Sequence, residues 1–260
     1  ARRVFVRAGD HDVVVEAVGA GFDTMITYAQ TPLLSANVEV LVDRYAMGGY
    51  YSRVVARAVQ GNAGANTIIL DSPNTASIDY QKYLLGTAVT IDGGGGADWM
   101  IGSHDDTTYI VDDLGDVVDE RGAASFDTVV TSINGYTLAN GLEGLVLSGA
   151  AAIAGFGNAA ANTLDGANYS SAANVLAGGL GDDTYILGQG DVAVELAGEG
   201  FDTLELRHWS GPGTTVALSD FANIEALSLK VGPGYTLLGT NGNDVLSYAG
   251  RDWLTNAGGV

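Results

Sequence analysis

Residues 93–101 read Gly-Gly-Gly-Gly-Ala-Asp-Trp-Met-Ile (GGGGADWMI): four glycines, one acid and three large apolar residues. Glycine loses more freedom on ordering than any other residue, so four together suggest a tether, whereas the apolar run behind them asks to be buried. A related order returns in GGLGDDTYI (178–186) and, with Thr240 at the second glycine, in GTNGNDVLS (239–247). A tether has no reason to repeat this order of residues; a turn built for a purpose does.

Outward from these turns a longer unit occurs three times: AGDHDVVVEAVGAGFDTM (8–25), LGDVVDERGAASFDTV (114–129) and QGDVAVELAGEGFDTL (189–204). Each has Gly-Asp, an apolar run, a glutamate (Glu16, Glu120, Glu195), then Phe-Asp-Thr, and each is followed by an Asn/Glu element ending in Leu: NVEVL (37–41), NGLEGL (140–145) and NIEAL (223–227). Internal repetition of this length is the mark of a repeat architecture. Asparagine units, GNAGANTII (61–69), GNAAANTLD (157–165) and AANVLAG (172–178), fill the spaces between. The first long unit is lengthened mainly by DRYAMGGYYSRVVARA (43–58) and DSPNTASIDYQKYLLG (71–86), which read as loop excursions.

Between the turns lie short alternating runs, TYIV, DVVDE, DTVVTS, GLVLSG, NTLDG and DTYIL, each closed by Gly, Asn or Asp. Such runs are too short and too evenly punctuated for βαβ units, and they fit rungs that bury their inward residues by stacking. The expectation is an all-β chain, a right-handed parallel β-solenoid of the β-roll or β-helix kind. It forms a single continuous array over 1–260 in three long repeats, about 1–92, 93–177 and 178–260. The best helical candidate is YYSRVVARAVQ (50–60).

Composition agrees and narrows the partners. Among 260 residues, 38 are glycine and 12 tyrosine, and 47% are hydrophobic, enough for a core. With 31 acidic against 11 basic residues the net charge is −20, which argues against nucleic acid or an anionic membrane as partner and in favour of cations. Residues 1–57 hold six arginines and six acids, so the negative charge falls on 58–260. Cysteine is absent, so disulfides and thiolate metal sites are excluded, and no apolar run approaches the roughly 18 residues that span a bilayer. No signal-peptide pattern opens the chain.

The glycine turns resemble the repeat-in-toxin (RTX), or hemolysin-type calcium-binding, nonapeptide G-G-x-G-x-D-x-U-x, with U large and apolar. Residues 93–101 match it at Gly93, Gly94, Gly96, Asp98 and Met100, and residues 178–186 at Gly178, Gly179, Gly181, Asp183 and Tyr185. The long units are similar to the blocks that alternate with nonapeptides in that family. The resemblance implies Ca²⁺ held by glycine-turn carbonyls and carboxylates between successive turns, with U in the core and position 99 facing outward. Calcium needs six to eight oxygens, which such turns can supply. The ligand positions it implies are Gly94, Gly96, Asp98, Gly179, Gly181, Asp183, Asn241, Gly242 and Asp244, with Asp105, Asp106 and Asp252 as substitutes where the pattern lapses.

The lapses matter for the ion count. GSHDDTTYI (102–110) has Ser103, Asp105 and Thr107 where the family has Gly, Gly and Asp, and Asn162 and Asn174 stand at Asp positions. About two to four ions are therefore expected rather than a full ladder. Asp23, Asp127 and Asp202, with Glu16, Glu120 and Glu195, read as structural turn caps. Asn66, Asn162 and Asn174 read as corner ladders, and Phe22, Phe126 and Phe201 as core. GFGNAA (155–160) follows no βα pattern and is not a dinucleotide fingerprint.

No nucleophile or metalloprotease motif is present, and His11, His104 and His208 share no context, so the chain reads as non-enzymatic. The resemblance implies type I secretion, an extracellular location and folding conditioned by calcium. The leading expectation is a structural or adhesive cell-surface protein, a segment of a surface layer, fibre or adhesin. Both ends cut through repeats, which suggests a longer array or copies stacked head to tail. The competing expectation is the calcium-binding module of a secreted protease, lipase or cytolysin whose catalytic domain lies elsewhere. Tyr50, Tyr51 and Trp209 are the aromatic residues a carbohydrate-binding surface would use.

Overall fold

Inward residues on short β-runs need partners above and below, and a parallel strand one turn away supplies both the hydrogen bonds and the apolar contact. The structure, a computed structural model, describes residues 3–5, 24–27, 33–34, 36–43, 57–70, 89–102, 106–120, 125–169, 172–207, 215–230 and 235–248. These residues are all-β apart from one short 3₁₀ turn at Leu218–Asp220. The chain forms two compact units, Ala1–Val129 and Val130–Val260.

The first unit contains β1 (Arg3–Phe5), β2 (Thr24–Thr27), β3 (Val40–Asp43), β4 (Arg57–Gln60), β5 (Thr67–Leu70), β6 (Val89–Asp92), β7 (Trp99–Ile101), β8 (Thr107–Val111) and β9 (Val117–Asp119). Its two rows run β1-β2-β3-β5-β7-β9 and β4-β6-β8, and the pairings within them are parallel. The second begins with β10 (Thr128–Thr131), β11 (Tyr136–Thr137), β12 (Gly144–Ser148), β13 (Ala154–Phe156), β14 (Thr163–Tyr169), β15 (Val175–Ala177) and β16 (Thr184–Leu187). It continues with β17 (Val192–Val194), β18 (Thr203–Leu206), β19 (Thr215–Ala217), β20 (Ala226–Leu229), β21 (Thr236–Leu238) and β22 (Val245–Tyr248). Here β12-β14-β16-β18-β20-β22, β11-β13-β15-β17 and β19-β21 form parallel rows. Each unit is a parallel β-solenoid, as the sequence leads one to expect.

Register stacks like on like. Leu145, Leu164, Tyr185, Leu204 and Leu227 are successive cross-strand partners and all are buried. In the first unit Val59, Ile91 and Tyr109 form one such column, and Leu41, Ile68 and Met100 another. A one-residue slip in any strand would turn its column out to water, so the alternation fixes the register.

That parity corrects two expectations. Phe126 and Phe201 are 50% and 44% exposed, not core; Asp127 and Asp202 beside them point inward, as do Val129 and Leu204 two residues further on. Size suggested burial, but period-2 alternation assigned it to the acid. Phe22 lies outside the described residues. The proposed helix at 50–60 is also wrong where it is described: Arg57–Gln60 is a strand, paired in parallel with β6. Its register partners give it hydrogen bonds that an isolated helical turn would lack. Trp99 is exposed and Met100 buried, as the nonapeptide pattern requires. Among the described residues no helix is long and apolar enough to cross a membrane.

Candidate metal centre

At several corners the residue just before a strand turns its side chain inward and accepts the backbone N–H of its counterpart one turn earlier. In the second unit Asp183 Oδ1 accepts from Asn162 N at 2.7 Å, Asp202 Oδ1 from Asp183 N at 2.9 Å, and Glu225 Oε2 from Asp202 N at 2.8 Å. In the first, Asp98 Oδ1 accepts from Asn66 N at 2.6 Å and Asp116 Oδ1 from Asp98 N at 2.9 Å. Asn66, Asn162 and Asn174 are buried in these corners, and the ladder runs from backbone to side chain rather than from amide to amide. Each inward carboxylate thereby has one oxygen engaged.

The second oxygen separates the acids. Asp191 Oδ1 accepts from Asn174 N at 2.8 Å and its Oδ2 from Gly188 N at 2.8 Å. Asp127 takes Thr107 N at 2.7 Å on one oxygen and the Ser125 hydroxyl at 2.8 Å on the other. Asp98 Oδ2, Asp183 Oδ2 and Glu195 Oε2 are buried and have no hydrogen-bond partner. A buried carboxylate oxygen left unpaired is costly, and the usual remedies are a proton or a cation. Asp191 is therefore structural, and Asp191→Asn, which turns an N–H donor toward a backbone N–H, should lower the melting temperature equally with and without calcium in a thermal scan. Asp183→Asn should raise it in the metal-free protein.

The two matched glycine turns carry two of the orphan oxygens. Gly94 and Gly96 have φ of 83° and 107°, and Gly179 and Gly181 have φ of 90° and 121°, conformations a side chain would strain. A Cβ on Gly93 or Gly178 would strike the Asp98 or Asp183 carboxylate, so the acid folds back onto the bare turn. Burial pushes both carboxyls up to about 7; the neighbours Asp116, Asp112 and Asp113 add to this at Asp98, and Asp202, Asp182 and Glu199 at Asp183.

The third turn differs. Thr240, in place of the second glycine, gives its N–H and its hydroxyl to the half-buried Asp244, so this carboxylate is capped from within its own turn. Asn241 and Gly242 are exposed there. Asp106 Oδ1 accepts from Phe126 N at 3.0 Å, a cap across one turn. Asp105 and Asp252, like His11, His104, His208, Tyr50, Tyr51 and Trp209, lie outside the described residues.

Two acids read as turn caps join Asp183. Glu195, 12 residues on along the chain, and Asp202, 19 on, bring carboxylate oxygens to within 4.8 Å of one another and of Asp183. Exposures are 1%, 6% and 1% for Asp183, Glu195 and Asp202, so the cluster is sealed. Glu195 Oε1 accepts the Tyr185 hydroxyl, whose oxygen in turn accepts from Gly178 N. Burial, with Asp202 and Asp183 adding to it, pushes the Glu195 carboxyl up to about 7. The clue in the sequence was the tyrosine: both Tyr109 and Tyr185 precede the repeat glutamate by ten or eleven residues.

Fold and site together define a parallel β-solenoid with one buried acidic cluster, among the described residues, of a kind that could hold a metal ion. The chain matches no protein-family model, no curated protein and no solved structure.

Proposed function

We propose that this chain is a calcium-binding structural β-solenoid of the cell exterior, a segment of a surface layer, fibre or adhesin, whose fold is completed by bound Ca²⁺. The observation that carries this reading is the set of buried, unpartnered oxygens on Asp98 and Asp183, each behind a glycine turn resembling the RTX nonapeptide. Carboxylate oxygen is a hard donor and suits a hard cation such as Ca²⁺ better than zinc or copper. The −20 charge acts in the same direction, because each Ca²⁺ removes two negative charges of self-repulsion. Asp98 and Asp183 would hold the ions, each carboxylate folded against a bare glycine turn where a Cβ would intrude. The extracellular placement and type I secretion rest on the resemblance of the turns.

The test is circular dichroism with light scattering, in a chelator and in millimolar CaCl₂. Calcium should increase the β signal and its thermal resistance, and the growth of large particles would support assembly into a polymer. A β signal of full strength and unchanged melting temperature in chelator would refute calcium-conditioned folding.

A further inference from the structure

The two described copies of the Tyr-Glu-Asp box share a frame and differ at its centre. In the first, Tyr109 donates to Glu120 Oε2 at 2.5 Å and Asp127 Oδ1 accepts from Thr107 N; in the second, Tyr185 donates to Glu195 and Asp202 Oδ1 accepts from Asp183 N. Two substitutions between the copies act together. Thr107 occupies the place of Asp183, and its hydroxyl bonds Tyr109. Ser125 occupies the place of Gly200, and its hydroxyl caps Asp127 Oδ2 at 2.8 Å. The first box thus closes on itself with neutral donors.

In the second box an added charge replaces one donor and a glycine the other. A side chain could not be restored at 200, because a Cβ on Gly200 would strike the carbonyl of Gly181. Three carboxylates remain with oxygens inside 4.8 Å, two of them, on Asp183 and Glu195, buried without a partner. Mutual repulsion at that distance in a sealed site is unfavourable unless a proton or a cation lies among them.

We propose that Asp183, Glu195 and Asp202 form a divalent-cation centre of the second repeat, and that the Tyr109 box is its metal-free counterpart. This extends the calcium reading above by adding Glu195 and Asp202 to the ligands the glycine turn provides. Tyr185 orients Glu195 so that Oε1 is spent on the hydroxyl and Oε2 faces the metal.

Isothermal titration of the intact chain with CaCl₂ alone, and with MgCl₂ as comparison, tests the assignment. Glu195→Gln and Asp202→Asn keep the shape of each side chain and an oxygen able to accept from Tyr185 or from the Asp183 N–H, so both should fold. Each is expected to bind one Ca²⁺ fewer than wild type, or to bind it at least 100-fold more weakly, while retaining the ion at Asp98. The double substitution Thr107→Asp, Ser125→Gly should gain one. Wild-type stoichiometry and affinity in both Glu195→Gln and Asp202→Asn would overturn this centre and leave calcium binding at the glycine turns standing. A wild-type chain that takes up no Ca²⁺ would instead overturn the calcium reading itself.

Discussion

Stripped of metal, the protein should be more stable at pH 5 than at pH 8, and millimolar calcium should reverse that order. The carboxyls of Asp98, Asp183 and Glu195 are raised to about 7 in the folded metal-free chain, chiefly by burial. In the unfolded chain they return to ordinary carboxylate values. Between those limits the folded state binds more protons, so stability is fully present below about pH 4 and is lost as pH rises through about 7. At about 1.4 kcal/mol per pH unit and group, over the roughly two units from pH 5 to 7, the loss between pH 5 and pH 8 is on the order of 8 kcal/mol for the three together. For a chain of this size that corresponds to roughly 20 °C in melting temperature.

Calcium binds the ionised form, so it protects at pH 8 and is displaced by protons at pH 5. Differential scanning calorimetry of chelator-stripped and calcium-loaded protein at both values checks the pattern. A metal-free melting temperature that rises from pH 5 to pH 8 would contradict it.

Gly181→Ala should be strongly destabilising. With φ at 121° any side chain there is strained, and a Cβ would lie 2.6 Å from the carbonyl carbon and oxygen of Ala160 and 2.8 Å from Ala161 N. These are backbone atoms of the preceding turn and cannot rotate away. Relief requires the turns to separate, which pulls on the 2.7 Å bond from Asn162 N to Asp183 Oδ1. Strain and overpacking together should cost about 4 kcal/mol. Gly198→Ala is the control: its φ is 85° but nothing lies within 4 Å of the added carbon. About 1 kcal/mol is expected there. Urea unfolding in saturating calcium separates the two, and equal losses would show that turn spacing is not the constraint.

Much of this architecture was legible in the residues because parallel rungs repeat their own instructions. The runs TYIV, DVVDE, DTVVTS, GLVLSG, NTLDG and DTYIL each lie on a strand with at most one residue beyond it at either end, and Met100 and Tyr185 are core residues as the nonapeptide pattern requires. Phe126 and Phe201 run against expectation because parity, and not apolar character, decides which residues of a rung face the core. Glu195 and Asp202 were legible as repeated residues but not as partners of Asp183, since that depends on which rung stacks on which. Register supplies the answer: Thr184 opposite Thr203 sets Asp183 directly before Asp202 in the corner column. The distinction between Asp191 and Asp183 lay deeper still, in whether a single backbone N–H, that of Gly188, reaches the second oxygen.

The most direct measurement is a crystal structure of the protein grown in calcium, with anomalous scattering used to locate the ions. Ca²⁺ should appear about 2.4 Å from Asp98 Oδ2 and from Asp183 Oδ2. Finding both oxygens instead hydrogen-bonded to protein or to ordered water, with no anomalous peak beside either, would contradict a calcium-completed solenoid.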